Sequence, residues 1–314
     1  MDESRAIYQP PPSIADAMRQ VRTKRQLADL LHYLRIKPSK SLGQNFLVDH
    51  NLLDFIVRAG EVGPEDLVLD IGCGTGLLTA HLADAGGHVV GIELHRGLFA
   101  VCSRYLEGRQ NVTLLCGDAL ASKHALSPAL LKATQDAWAT GRYKALRVVS
   151  NLPYSAATPL VPNLLESGLP IAAMVVTVQK EVAERMAAPP GGRDYGVLSL
   201  VVQAQAAVEV VRGVPPEVFW PRPKVTSSIV RLVPDLQRKA VIRDFAAFRE
   251  VVKAAFAHRR KTLANSLAAA HLRDGDLAPL LSACGIAPTA RAQDVDLARY
   301  ILLANHLAEL RGTS

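Results

Sequence analysis

Between residues 67 and 178, short runs of Val, Ile and Leu alternate with stretches of helical periodicity, and few architectures accommodate such an alternation. The runs occupy residues 67–69, 88–92, 112–115, 146–149 and 173–178. Each is nearly uninterrupted in apolar character, as a strand covered on both faces must be, so the sequence predicts an α/β fold with a parallel sheet between helices. After residue 180 two more strand candidates, near 198–211 and 226–233, read as a hairpin appended to that sheet. Beyond Pro234 the pattern is helical over 245–257, 261–270, 277–284 and 295–310, with breaks at Gly275, Gly285 and Pro288. Residues 121–144 read as a loop with a short helix. Ahead of the alternating region, behind Pro10-Pro11-Pro12, residues 13–35 space Ile14, Met18 and Val21 helically between Arg19, Arg22, Lys24 and Arg25. The expected organisation is a basic helical extension (1–36), an α/β domain (37–234) and a smaller all-helical domain (235–314).

Charge is unevenly spread along this layout. Residues 1–40 carry eight Lys/Arg against four Asp/Glu and residues 235–314 carry twelve against eight, while 41–234 carry sixteen against seventeen. Two basic ends around a neutral middle suit a protein whose ends hold a polyanion while its middle does chemistry. Cys73, Cys102, Cys116 and Cys284 show no metal-ligand spacing, so they read as buried thiols in a reducing compartment and no metal is expected. No apolar stretch reaches a membrane span, and Met1-Asp2-Glu3-Ser4-Arg5 does not resemble a secretion signal; no membrane and a cytoplasmic location are expected.

The most informative segment is Val68-Leu69-Asp70-Ile71-Gly72-Cys73-Gly74-Thr75-Gly76-Leu77-Leu78-Thr79, a strand, a Gly-x-Gly-x-Gly turn and a helix start. Glycines there let the backbone approach a ligand closely. The next strand ends at Glu93, where a carboxylate can take both hydroxyls of a ribose. The third is followed by Asp118, which can accept an adenine amino group. Three strand ends so equipped describe a nucleoside pocket. The pattern resembles the class I, Rossmann-like S-adenosylmethionine-dependent methyltransferases more than dinucleotide enzymes, whose Gly-x-Gly-x-x-Gly seats a pyrophosphate. Asp70 then either orients the glycine turn or meets the methionine ammonium.

The fourth strand ends at Asn151-Leu152-Pro153-Tyr154. An exocyclic adenine amine is a poor nucleophile because its lone pair is delocalised into the ring. Two hydrogen-bond acceptors, Asn151 and the carbonyl of Leu152 or Pro153, can draw the nitrogen toward tetrahedral geometry, and Tyr154 offers a flat surface for the base. Lys40-Ser41-Leu42-Gly43-Gln44-Asn45-Phe46-Leu47, the Asn151–Tyr154 motif, Gln179-Lys180-Glu181-Val182-Ala183-Glu184-Arg185 with Tyr195-Gly196-Val197-Leu198-Ser199, Phe219-Trp220-Pro221-Arg222-Pro223-Lys224-Val225-Thr226-Ser227, and Phe256-Ala257-His258-Arg259-Arg260-Lys261-Thr262-Leu263-Ala264-Asn265-Ser266-Leu267 together are similar to the motifs of the ribosomal RNA adenine dimethyltransferases.

That resemblance, over roughly residues 37–305, implies dimethylation of two adjacent adenosines in the 3′-terminal helix loop of small-subunit ribosomal RNA, and a role in ribosome biogenesis on a pre-30S particle. It implies cofactor contacts from Asn45, Leu47, Gly72, Gly74, Glu93, Asp118 and Asn151. Arg222, Lys224, Arg259, Arg260 and Lys261 are the candidate phosphate contacts, and the last three are expected to open a helix. A monomer is expected. Relatives acting on large-subunit RNA commonly have Ile where this chain has Leu152. Cys73 stands where the family usually has Pro, and the segment before Lys37 is longer than is typical. The rival readings are a large-subunit RNA methyltransferase, a non-catalytic RNA-binding factor of the same fold, and a nicotinamide oxidoreductase, in which the Asn151–Tyr154 motif has no role.

Overall fold

The computed structural model describes residues 12–39, 41–270 and 277–312; Pro10, Pro11, Lys40 and Gly275 lie outside the described residues. Helices α1 (Ile14–Gln20) and α2 (Lys24–Tyr33) lead into strand β1 (Phe46–Leu47) and α3 (His50–Ala59). The alternating region follows as β2 (Asp66–Ile71), α4 (Leu77–Ala85), β3 (His88–Glu93), α5 (Arg96–Tyr105) and β4 (Val112–Cys116). A small hairpin, β5 (Leu120–Ser122) and β6 (Ala125–Leu126), and the eleven-residue α6 (Pro128–Trp138) occupy the segment read as a loop with a short helix. Then come β7 (Ala145–Asn151), α7 (Ala157–Glu166), β8 (Ile171–Gln179), α8 (Lys180–Ala187), α9 (Val197–Gln203), β9 (Ala206–Val214), β10 (Phe219–Trp220) and β11 (Ser227–Pro234). The chain ends in α10 (Leu236–Ala240), α11 (Phe245–Phe256), α12 (Leu263–Ala269), α13 (Ala278–Ala283) and α14 (Leu297–Gly312).

Seven strands form the main sheet in the order β4-β3-β2-β7-β8-β11-β9. β4, β3, β2, β7 and β8 run parallel, and β11 joins antiparallel to β8. All six residues of β2 are buried, as befits the middle of a sheet covered on both faces. The chain proceeds from β2 outward through β3 and β4, then returns to the other side of β2 with β7. This reversal opens a crevice at the carboxyl ends of β2 and β7, where ligands of such sheets bind.

Contacts divide the chain into two units. The first holds the residues up to Lys180 with Val210–Leu232, and the second holds Glu181–Glu209 with the residues from Val233 onward. The sequence reading drew its boundary at 235 and left 181–209 with the α/β domain. Residues 198–203, read as part of a strand, form α9 instead, with Ser199, Leu200, Val201 and Val202 buried. A short apolar run has the same composition in a buried helix turn as in a buried strand. Here the Ser199 hydroxyl accepts the Gly196 amide (3.0 Å) and starts the helix. Within the second unit, the buried phenols of Tyr195 and Tyr300 donate to the carbonyls of Val295 (3.1 Å) and Ala292 (2.8 Å).

The N-terminal helices belong to the first unit's core. Met18, Leu27, Leu30 and Leu31 are fully buried in one cluster with Leu53 and Ile56 of α3. Thr23 and Gln26 cap α2 reciprocally, which satisfies amides that helix starts leave open. His50 Nε2 donates to the Val21 carbonyl (2.8 Å), His50 Nδ1 meets His81 Nε2 (3.0 Å), and His81 Nδ1 meets Asp54 (2.7 Å). A basic surface thus covers an apolar underside that the α/β unit needs. Of the four cysteines, all free thiols, Cys73, Cys102 and Cys284 are buried; Cys116, at the end of β4, is exposed, which corrects the expectation of a buried thiol. Leu30→Ala is expected to cost about 2–5 kcal/mol of unfolding free energy in urea titrations of the whole protein, the scale for a core leucine. A loss below about 0.5 kcal/mol, the scale of surface changes, would mean that α2 merely rests on the unit.

Candidate functional site

A cavity of about 280 Å³ lies at the carboxyl edge of β2, β3 and β7, and a smaller one of about 30 Å³ adjoins it. Strand register explains the convergence: Ile71 pairs with Ile92, and Glu93 with Cys116, so the loops after these strands leave the sheet side by side. The glycine turn forms one wall. Gly72 has φ +76°, and a Cβ on it would lie 2.8 Å from the Pro153 ring. Gly74 has φ +58°, and a Cβ there would lie 3.2 Å from the Phe46 ring. Both conformations and both approaches require glycine.

Two buried carboxylates adjoin this turn, and Glu93 holds it. Glu93 Oε2 accepts the Gly74 amide (2.8 Å) and Oε1 accepts the His95 amide (2.8 Å). Glu93 also lines the cavity. Asp70 Oδ2 accepts the Thr79 hydroxyl of α4 (2.7 Å), while its buried Oδ1 has no partner. Burial pushes the Asp70 carboxyl up to about 7 against the pull of the Thr79 bond, and the neighbouring Glu93 charge adds to the rise. Burial also raises Glu93, and its bonds from the His95 and Gly74 amides oppose that rise. Bracing of the turn, which the sequence reading offered as one role for Asp70, is thus seen directly at Glu93. Thr79 was missed; its only sequence signal is a hydroxyl at the start of the helix after the turn.

The opposite wall is the turn after β7. The Asn151 side-chain amide donates from Nδ2 to the carbonyl of Asn45 (3.0 Å). Its Oδ1 is buried and has no partner. Because a carbonyl can only accept, that bond dictates which end of the amide is which, and the oxygen is the end left to the site. The loop carrying Asn45 is pressed against this turn: Ser155 Oγ donates to the Leu42 carbonyl (3.0 Å), and Gly43, at φ +64°, passes so close that a Cβ would sit 2.9 Å from the Ser155 nitrogen. Asn45 Nδ2 in turn donates to the Gly43 carbonyl (3.1 Å).

Asn45, Gly72, Gly74, Glu93 and Asp118 therefore line the larger of these two cavities together with Asn151, Leu152 and Pro153. Asp118 sits at the exposed mouth, one oxygen accepting the Leu120 amide (2.9 Å). Leu47 lines the smaller cavity with Asp70. Leu94, 44% exposed, adds an apolar lining surface that the sequence reading missed. Tyr154 does not line either cavity; its half-buried phenol is turned to the Ser227 hydroxyl.

The basic candidates lie elsewhere. Arg222 is ion-paired with Glu217, and Lys224 is exposed. Arg259, Arg260 and Lys261 fall in the turn between α11 and α12, not on a helix, because α12 begins only after its cap, Thr262. Arg259 donates to the carbonyls of Arg193 and Tyr195 (both 2.9 Å) and lies over the Phe256 ring, so its charge is engaged within the second unit. Arg260 and Lys261 are exposed, and among the described residues their side chains have no polar partner.

A testable consequence concerns Asp70. Folded, it keeps its proton up to about pH 7, whereas unfolded it loses it near 3.8, so in that window the folded state binds more protons and rising pH destabilises it. Urea unfolding of wild type and Asp70→Asn between pH 4 and 8 is expected to show the wild type losing stability relative to the variant as pH rises from about 4 to 7. A constant difference would mean that Asp70 titrates normally.

With this geometry established, comparison with known proteins is specific. A family model described as Ribosomal RNA adenine dimethylase matches residues 35–309. The ribosomal RNA small subunit methyltransferase A of Moorella thermoacetica is 40% identical over 290 residues, covering 92% of this chain and 99% of the relative. Its namesake from Pelotomaculum thermopropionicum is 41% identical over 279 residues, covering 88% and 94%. Among solved structures, a dimethyladenosine transferase from Plasmodium falciparum shares the fold, with a TM-score of 0.65 at 24% identity over 84% of this chain and 98% of that one. The extent of these matches, across both units and every motif of the site, makes the chain a member of the ribosomal RNA adenine dimethylase family.

Proposed function

We propose that this protein transfers methyl groups from S-adenosylmethionine to the N6 amines of two adjacent adenosines in the 3′-terminal helix loop of small-subunit ribosomal RNA, in the cytoplasm, as a monomer on a pre-30S particle. The observation that carries the proposal is the Asn151 side-chain oxygen, buried, unpartnered and oriented by Asn45. A buried acceptor without a donor costs roughly 1–3 kcal/mol, and a substrate N–H relieves that cost. No described helix is long and apolar enough to cross a membrane.

The site suits S-adenosylmethionine on chemical grounds. Asp70 and Glu93 are buried carboxylates raised by desolvation, with Asp70 Oδ1 unpartnered, and a cationic amino-acid group is the partner such a pair lacks. The glycine cradle leaves room for a ligand close to the backbone, Glu93 retains lone pairs for ribose hydroxyls, and Asp118 sits where it can accept an adenine amino group. Bound there, S-adenosylmethionine supplies a methyl group activated by its sulfonium.

The protein's own part is to make the adenine amine reactive. Asn151 Oδ1 accepts one N6–H. The Pro153 carbonyl already accepts the Ala156 (2.9 Å) and Ala157 (3.1 Å) amides, so the second acceptor role falls to the carbonyl of Leu152. Two acceptors hold the hydrogens out of the base plane and release the nitrogen lone pair from the ring. A fixed oxygen does this without reorganisation during the reaction. No strong base is needed, because the methylated amine loses its proton readily to water. A non-catalytic factor or an oxidoreductase leaves the oriented Asn151 without a purpose.

For RNA contact, Arg260, Lys261 and Lys224 are the stronger candidates; Arg222 and Arg259 are already engaged. Changing Arg260 and Lys261 together to Gln is expected to flatten the slope of log affinity against log salt by about 1.4–1.8, the scale for two phosphate contacts, with cofactor affinity unaltered. An unaltered slope would remove them from the interface.

Asn151→Ala is expected to lower the single-turnover methylation rate by at least about tenfold beyond any loss of RNA affinity. The second transfer has one N–H fewer to grip, so partly active variants at Asn151 should accumulate monomethyladenosine in digests analysed by mass spectrometry. Wild-type dimethylation by Asn151→Ala would reduce the motif to a turn.

A further inference from the structure

The antiparallel strand β11 begins where parallel β8 ends: Ser227 pairs with Gln179, two residues beyond the Thr177 that faces Asn151. This register delivers a side chain from a distant part of the sequence to the carboxyl edge of the sheet, beside the Asn151–Tyr154 turn. Ser227 is fully buried, and among the described residues its side chain makes one hydrogen bond, to the phenol of Tyr154. A buried serine on a strand otherwise rich in Ile, Val and Leu is a costly choice unless its hydroxyl has a task.

We propose that Ser227 is a positioning residue that fixes where the Tyr154 ring lies. The proposal rests on the reading of Tyr154 as the surface on which the target adenine is held. The turn fixes the Tyr154 backbone, since the Pro153 carbonyl binds the Ala156 and Ala157 amides, and the Ser227 hydroxyl fixes the far end of the ring. With both ends held, rotation about the Cα–Cβ bond, which would swing the phenol oxygen away from Ser227, is suppressed. The ring then occupies one position beside the incoming base rather than an average over several, and the amine is brought to the Asn151 oxygen at one height. An unpinned ring can still stack on adenine, so its loss is felt in the reaction step more than in RNA affinity.

The test is a double-mutant cycle in single-turnover methylation of small ribosomal subunits that lack the modification. Ser227→Ala and Tyr154→Phe break the same bond from opposite sides, so each is expected to slow methylation by about threefold to tenfold, the range of one net hydrogen bond. The double variant should be no slower than either single one. Ser227→Thr, which keeps the hydroxyl, should recover most of the rate. Binding of S-adenosylhomocysteine should stay at its wild-type value and the melting temperature should fall by only a few degrees, the scale of one lost buried hydrogen bond, a pattern that general damage to the fold would not produce. A wild-type rate in Ser227→Ala, additive effects of the two changes, or a joint loss of S-adenosylhomocysteine binding and melting temperature would overturn the proposal. Asn151→Ala in the same assay separates the failures: if it is slow while Ser227→Ala is not, only the role of Ser227 falls; if both run at wild-type rate, the reading of the acceptor turn falls with it.

Discussion

The hydrogen bond from the Asn151 amide to the Asn45 carbonyl decides what the site can do. It joins the loop ahead of β1 to the turn after β7, and it leaves a buried amide oxygen without a partner. Under the proposed function, reversing the amide would place an NH₂ against the substrate amine, donor against donor, and the proposed acceptor chemistry would vanish. Much of the surrounding structure keeps this bond in place. Gly43 permits the close crossing of loop and turn, Ser155 ties the turn to Leu42, and Gly72 lets the glycine turn lie against Pro153. Each is a small or polar residue chosen by backbone approach and not by the chemistry itself.

The parallel core was legible because uninterrupted apolar runs between helical stretches allow few alternatives, and β2, β3, β4, β7 and β8 each contain one of the predicted runs. The glycine turn and Asn151 were legible for a related reason: their positions at strand ends follow from the alternation alone. Residues 198–203 were not, since six residues of which four are apolar do not disclose a helix or strand period, and the deciding bond, from Gly196 to Ser199, is local and weak as a signal. The turn holding Arg259, Arg260 and Lys261 is not the helix start that the sequence predicts; Thr262, a cap, is the signal that places that start beyond it. Nothing in the sequence could pair Tyr154 with Ser227, or Asn151 with Asn45, because both depend on register between distant segments.

Charge and packing divide the labour along the chain. The basic helices α1 and α2 looked like an appendage, yet their apolar faces complete the core of the first unit while their cations stay at the surface. In the second unit Arg259 is absorbed by carbonyls and an aromatic ring, whereas Arg260 and Lys261 remain exposed. A run of three adjacent cations therefore contains both a structural and a surface role. Counting charges along a sequence cannot separate them, since the distinction lies in which carbonyls the fold brings near.

The account's central claim is that an oriented acceptor at the end of β7 serves dimethylation of adenine in small-subunit RNA. Its most direct test is to incubate the purified protein and S-adenosylmethionine with unmodified small ribosomal subunits and map the methylated nucleotides by mass spectrometry. The account predicts N6,N6-dimethyladenosine at two adjacent positions in the 3′-terminal helix loop. Methylation confined to large-subunit RNA, or no transfer to adenine N6 in any ribosomal substrate, would contradict it.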